Sequence, residues 1–357
     1  MRRDGHGEIR AACLDRGFCP AQQKRGRVFA GPQQEESLNR LRLAVVGVGQ
    51  FGRNHCRVIH DSPRAELVAV ADLDAGRAAD AARTWGARPV ADLRELEGLA
   101  DAAVVAVPTS AHEEVGCALL ESGLDVLVEK PLAAGLSAAD RLTDTAARAG
   151  RILQVGHLER FNPAVAELER RATVPLFFEV HRLSVFSPRS LDVDVVLDLM
   201  IHDVDVVLAL AGAEPQEIRA AGISILSAKV DIANVRLQFP NGCVANLTAS
   251  RVSTERVRKL RLFQPGQYLS LDYGRQDLAV FSVDGNRQIG FEQAAVEKAE
   301  PLARQLDAFL DCVEHRQIPK TSGRAARQSL QVALAILDKI EEHSRVVSQT
   351  LVAGWKR

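Results

Sequence analysis

The residues best suited to chemistry sit in one apolar run, DVVLDLMIHDVDVVLAL (Asp194 to Leu210), which carries Asp194, Asp198, His202, Asp203 and Asp205. It holds neither proline nor glycine and is too long for one strand, so it reads as a helix. At roughly 100° per residue, with Asp198 at zero, Asp194 falls near −40°, Asp205 near −20° and His202 near +40°, while Asp203 lies apart at about 140°. An imidazole titrates near neutral pH and a carboxylate one turn away can orient it, so Asp198 and His202 suit removal of a proton from a hydroxyl. Asp205 either faces the same cleft or caps a neighbouring strand. An amphipathic helix with a thin wet face is the alternative. The stripe contains no Lys, Glu or Arg, which argues for a buried helix turned toward a cleft. Asp194, Asp198 and His202 also have a spacing that a metal could use.

Such a stripe needs a scaffold, and the sequence supplies one from Leu41 onward. LRLAVVG reads as a short buried strand, and GVGQFG follows it before a helical stretch. Gly47, Gly49 and Gly52 thus form G-x-G-x-x-G at a strand-to-helix turn, the arrangement that lets a pyrophosphate approach the backbone at a helix N-terminus, with Gln50 and Phe51 beside it. A second strand, ELVAVAD, ends in Asp72, where a carboxylate bonds a ribose hydroxyl and repels a 2′-phosphate. NAD is therefore favoured over NADP, although Arg77 stands close by. Asp72 could instead be a simple helix N-cap.

Strands and helices then alternate to about residue 156, which implies a parallel sheet with helices on both faces. Ligands in such sheets lie beyond the carboxyl ends of the strands. Three loops should converge there: GVGQFG, PTSAH with Pro108, Thr109 and His112, and EKP with Glu129, Lys130 and Pro131. A lysine at a strand end is commonly just solvated, but Lys130 ends its strand at the edge where the cofactor is expected. His112 suits a place beside the cofactor or a helix cap.

Bulk properties narrow the classes. A chain of 357 residues suits two domains, and a formal net charge of −1 gives no electrostatic case for nucleic acid or a membrane surface. No apolar stretch free of charge reaches membrane-span length. The 6 cysteines are scattered without metal-ligand spacing, which points to free thiols in a reducing cytoplasm. Residues 1–40 lack a hydrophobic period or a signal-peptide core and read as a disordered extension.

GVGQFG, the acid ending the second strand, VPTSAH, VEKP and the Asp-x-x-x-His helix together resemble the Gfo/Idh/MocA oxidoreductases, over residues 41 to about 346. The resemblance implies an α/β chain: an N-terminal Rossmann dinucleotide-binding domain (41–158) followed by an α/β domain with a large open mixed sheet (159–357). The strand candidates of the second half agree, with turn signals at Asn241-Gly242, Pro265-Gly266 and Asp284-Gly285. GHLERFNPAV, EVHRLSVFSPR and the stripe helix are more narrowly similar to a sugar-nucleotide branch, which oxidises C3 of UDP-N-acetylglucosamine ahead of an aminotransferase in lipid A or O-antigen synthesis.

By this resemblance His202 is the base, Asp198 orients it, and Lys130 holds the reacting hydroxyl. Whether lysine or histidine takes the proton first stays open, and no metal is needed. Arg160, Asn162, Arg182 and Arg189 are expected to hold a diphosphate, with surface salt bridges as the alternative for each arginine. The resemblance further implies a homodimer or homotetramer. A dehydrogenase of a free sugar or cyclitol is the nearest rival, and a non-catalytic NAD-binding regulator would not need to keep the Lys–Asp–His set.

Overall fold

The structure, a computed structural model, describes residues 40–186 and 193–352. The 1–40 extension, except Arg40, and Arg189 lie outside the described residues. Six parallel strands form the first sheet: β1 (Leu41–Val46), β2 (Ala65–Ala71), β3 (Arg88–Val90), β4 (Ala102–Val105), β5 (Asp125–Val128) and β6 (Leu153–Val155), in the order β3-β2-β1-β4-β5-β6. That order reverses between β1 and β4, the crevice where such sheets bind dinucleotides. The strands are short and apolar on both faces because helices cover both: α1 (Gln50–Asp61), α2 (Ala75–Trp85), α3 (His112–Glu121) and α4 (Leu136–Ala149).

After α5 (Pro163–Arg171), eight strands make the second sheet. They are β7 (Phe177–Val185), β8 (Glu217–Ile223), β9 (Ile232–Gln238), β10 (Val244–Ser253), β11 (Val257–Gln264), β12 (Gln267–Asp272), β13 (Asp277–Val283) and β14 (Ile289–Gln293), ordered β14-β13-β12-β11-β7-β10-β9-β8. Only β7 and β10 pair in parallel, so the sheet is mixed. The three turn signals fall between β9 and β10, β11 and β12, and β13 and β14. One face packs Phe178, Val180, Leu260 and Leu262 against Ile201, Val204 and Val207 of the stripe helix.

That helix begins with a π-helical turn, Val196–Met200, and continues as α6 (Ile201–Ala211). The wider turn changes the angular step, so the even wheel read from the sequence does not hold along its length. Asp194 precedes the helix and accepts the Val230 N–H at 2.9 Å.

The chain end departs from a clean split at residue 158. In α7 (Pro301–His315), Leu302, Leu306, Phe309 and Leu310 pack with Leu43, Val45 and Ile59, completing the core of the first sheet. Helix α8 (Gly323–Val352) joins both cores, placing Ala326 and Leu330 in the first and Ile336 and Ile340 in the second. Two long-range anchors thus hold the two sheets together. No helix among the described residues is long and apolar enough to cross a membrane.

Candidate active site

The glycine turn is built for a ligand at one position and for the fold at two. Gly47 has φ +87°, and a Cβ there would stand 2.6 Å from the Ala106 carbonyl oxygen. At Gly52 a Cβ would meet the Gly47 carbonyl oxygen at 1.8 Å, so helix and strand approach closely only because both are glycine. At Gly49 it would meet nothing within 4 Å. No internal contact demands glycine there; the free space lies at the N-terminus of α1, whose first turn carries no acid and where Gln50 and Phe51 are exposed. These features fit a pyrophosphate resting on the helix N-terminus.

Asp72 closes the same loop. Its Oδ2 accepts the Val48 N–H at 2.9 Å, and its Oδ1 accepts the Asp74 N–H and the Arg77 guanidinium, each at 2.9 Å. Burial pushes its carboxyl up, but the backbone N–H groups of Asp74 and Val48, with Arg77, hold it below the usual carboxylate value. The N-cap of α2 is Asp74, which answers the alternative reading of Asp72. Pro108 and Thr109 stand just past the end of β4.

Two buried contacts fix the loops beyond β4 and β5. His112 is 1% exposed, its Nδ1 3.0 Å from the Pro131 carbonyl and its Nε2 3.0 Å from the Val107 carbonyl. It joins the two loops rather than reaching a ligand, and burial lowers its pKa. Glu129 is likewise turned inward: its Oε1 meets His55 Nε2 of α1 at 2.7 Å, and Oε2 accepts the Lys130 N–H at 3.2 Å. The Lys130–Pro131 peptide is cis.

Lys130 is thereby aimed at the second domain. Its Nζ donates to the Asp198 carbonyl oxygen at 2.7 Å and lies 3.5 Å from the Asp198 carboxylate. One turn on, His202 retains partial access while its Nδ1 is buried without a hydrogen-bond partner among the described residues, which leaves Nε2 to reach a ligand. Burial, then Lys130, Arg182, His157 and Arg258, press its pKa well below 6.5. A neutral imidazole beside an ammonium is what proton abstraction requires.

The arginines correct the sequence reading. Arg182 is 3% exposed and forks onto Asp203, Nε–Oδ2 2.6 Å and Nη2–Oδ1 2.9 Å, while Nη1 bonds Glu159 at 2.9 Å. Burial lowers its pKa, but Asp203 and Glu159 more than reverse this. Arg160 bonds Glu169 at 3.0 Å and approaches Asp205 at 3.5 Å. Asn162 caps α5 through the Ala164 N–H and donates to the Tyr273 carbonyl. All three are engaged by partners within the second domain. The alternation in TERVRKLRLF was the overlooked signal: it puts Arg256 and Arg258 on the face that Leu260 and Leu262 bury. His157 was also overlooked. It is 1% exposed, neither ring nitrogen has a hydrogen-bond partner among the described residues, Nδ1 lies 4.0 Å from the Asp205 carboxylate, and its ring meets that of His202 edge-on with centroids 6.5 Å apart.

Comparison with known proteins agrees with this geometry. Residues 41–157 match the oxidoreductase family, NAD-binding Rossmann fold model, and residues 174–263 match the GFO/IDH/MocA C-terminal domain. A UDP-N-acetylglucosamine 3-dehydrogenase of Acidithiobacillus ferrooxidans is 34% identical over 307 residues, covering 84% of this chain and 97% of that protein. Its solved structure superposes with a TM-score of 0.81, covering 85% of this chain and 99% of the other. A scyllo-inositol 2-dehydrogenase (NAD(+)) of Bacillus subtilis is 26% identical, over 83% of this chain and 93% of that protein. The glycine turn, the paired sheets and these relatives make the chain a member of the Gfo/Idh/MocA family, an NAD-dependent oxidoreductase.

Proposed function

We propose that the chain oxidises the C3 hydroxyl of UDP-N-acetylglucosamine to a 3-keto sugar nucleotide. The observation that carries the reading is Lys130 of the first domain meeting the Asp198–His202 helix of the second. The 34% relative, matched over nearly its whole length, supports the sugar-nucleotide substrate over a cyclitol. In this reading Lys130 Nζ donates to the reacting hydroxyl oxygen and stabilises the charge it develops. His202 Nε2 accepts the hydroxyl proton, and Asp198 holds the lysine and the helix turn in register. NAD, when bound, supplies the hydride acceptor. Gly49 and the α1 N-terminus hold its pyrophosphate, and Asp72 its ribose.

The test is incubation with NAD and UDP-N-acetylglucosamine, trapping ketone for mass spectrometry, with 2-oxoglutarate present in a parallel sample to reoxidise retained cofactor. A product two hydrogens lighter, absent with Lys130→Ala, is expected. No product in either sample, with turnover of myo-inositol, would favour the cyclitol reading.

We further infer self-association through the second sheet and, for the keto product, a downstream aminotransferase. Phe177, Phe263, Tyr268, Phe281 and Phe291 form one cross-strand row over β7 and β11–β14, with neighbouring rings 4.8 to 5.8 Å apart, on the face opposite α6. Free thiols at Cys56, Cys117, Cys243 and Cys312 support a cytoplasmic setting.

A further inference from the structure

The arginines packed in and around the second sheet include several matched to carboxylates: Arg182 to Asp203 and Glu159, Arg251 to Asp231, Arg261 to Glu179, Arg171 to Glu292. Arg258 and Arg256 are different. Neither side chain makes a hydrogen bond or ion pair with any described residue, and both residues are exposed.

Their place in the sheet makes this costly. Arg258 is the register partner of Arg182 on β7, and the Tyr273 N–H bonds its carbonyl oxygen. Opposite residues in adjacent strands project to the same face, so Arg258 shares the face on which Arg182 reaches Asp203, the residue next to His202. Arg256 lies two residues earlier, just before β11, and extended backbone returns it to that side. The position is crowded yet open to solvent. Burial and the neighbouring Arg182 both depress the Arg258 pKa, and Glu159 only partly offsets them. Two like charges beside a third, with the nearby carboxylates already engaged by Arg182, leave the site short of negative charge.

We propose that Arg258 and Arg256 form the binding site for the diphosphate of the sugar-nucleotide substrate. This inference rests on the sugar-nucleotide reading above and specifies which residues recognise that class. A diphosphate carries acceptor oxygens on two phosphorus atoms, and a pair of guanidinium forks on one strand face can each engage one phosphate. The pair replaces Arg160, Asn162 and Arg182, which the fold itself uses. It also gives the cleft a way to prefer a charged nucleotide sugar over a neutral cyclitol, because an empty arginine pair remains unneutralised with the latter.

The test is calorimetric titration of the full chain with UDP and with uridine, for the natural sequence, Arg258→Ala, Arg256→Ala and Arg258→Lys. Arg258→Ala should weaken UDP about 10- to 100-fold, the range of a lost charged hydrogen-bond pair, and leave uridine and NAD unchanged. Arg256→Ala should weaken UDP less, and Arg258→Lys should restore part of the loss. With UDP-N-acetylglucosamine, KM should rise while kcat stays within a few-fold. Melting temperature should hold or rise in Arg258→Ala, since an uncompensated cation is removed. A drop of several degrees together with weaker uridine binding would assign Arg258 a structural role and overturn the proposal. UDP binding equal in Arg258→Ala and the natural sequence would overturn it while leaving the substrate reading intact. Failure of the natural sequence to bind UDP or oxidise its sugar conjugate would overturn both.

Discussion

Lys130 Nζ donates to the backbone carbonyl oxygen of Asp198 at 2.7 Å, while the Asp198 carboxylate stands back at 3.5 Å. The lysine is therefore placed chiefly by the main chain of a π-helical turn, with the acid as a supplementary charge. Such turns loosen the helical ladder and recur at functional sites. Removing the two side chains should then have unequal effects. Lys130→Ala should lower kcat about 10²–10³-fold, the cost of an oxyanion donor. Asp198→Ala keeps the carbonyl and should lower it about 10-fold. Steady-state kinetics decide it, and equal losses would put the weight on the carboxylate instead.

The glycine turn predicts a second contrast. Gly52→Ala forces a Cβ into the Gly47 carbonyl at 1.8 Å, backbone against backbone, and should destabilise the first domain strongly. Gly49→Ala meets no protein atom, so the fold should melt as before. Its added methyl sits where the pyrophosphate must approach, so NAD affinity should fall about 10-fold or more. Paired thermal melts and NAD titrations separate the two; a Gly49→Ala protein with unchanged NAD affinity would remove the pyrophosphate from this turn.

The glycine turn and Asp72 were legible because their chemistry is local: strand, turn, helix and acid follow one another within a short stretch. Lys130, Asp198 and His202 were legible as residue types at the ends of recognisable elements. The arginines were not, because a guanidinium's partner is chosen by the tertiary fold. Arg182 meets Asp203 only after β7 and α6 pack together, and Arg160 finds Asp205 across a longer separation. The 159–357 domain bound put residues 301–315 with the second sheet, and their packing on the first was hidden for the same reason. Their amphipathic pattern announces a helix, and nothing in that pattern says which of two sheets it will cover. The π turn left no signature in the hydrophobic period.

Arg182 gives a stability prediction that opposes the sequence expectation. Truncating it leaves Asp203 and Glu159 buried without their cation, and breaking a buried pair costs about 3–5 kcal/mol. Urea unfolding of Arg182→Ala should show that loss. Partial rescue is expected from Arg182→Met combined with Asp203→Leu, because it removes one of the two orphaned carboxylates and leaves only Glu159 without its cation. A folded, fully stable Arg182→Ala with only a raised KM would return Arg182 to the substrate.

Three histidines shape the pH response. His112, His157 and His202 all have pKa values lowered from 6.5, with burial the first cause in each. For His157, Asp205 offsets part of the burial, while Lys130 and Arg160 add to it. Above pH 6.5 these rings are neutral folded and unfolded, and they contribute no pH dependence. As pH falls below 6.5 the unfolded chain takes up protons that the native chain refuses. Stability then declines until the native pKa values are reached, by up to about 1.4 kcal/mol per pH unit for each ring. His157→Gln should remove one proton from that slope, read by urea unfolding between pH 5 and 7.5. The acid limb of kcat/KM should likewise fall below pH 6.5, because His202 stays neutral there. A limb above 6.5 would require another base.

The aromatic row tests self-association. Phe281 sits third among the four strands β11–β14 and contacts Tyr268 and Phe291 at 5.2 and 5.1 Å between ring centres. Phe291 at 63% and Ile289 at 77% exposure extend the apolar surface to the sheet edge. A contiguous apolar face of this kind is unfavourable in water and is ordinarily covered in solution. Phe281→Lys places an ammonium in the middle of the row, where a partner's sheet would have to desolvate it. The natural sequence should sediment as a dimer or tetramer and Phe281→Lys as a smaller species, with Lys130 and His202 untouched and NAD affinity retained. A natural chain that sediments as a monomer at micromolar concentration would rule this face out as the assembly surface.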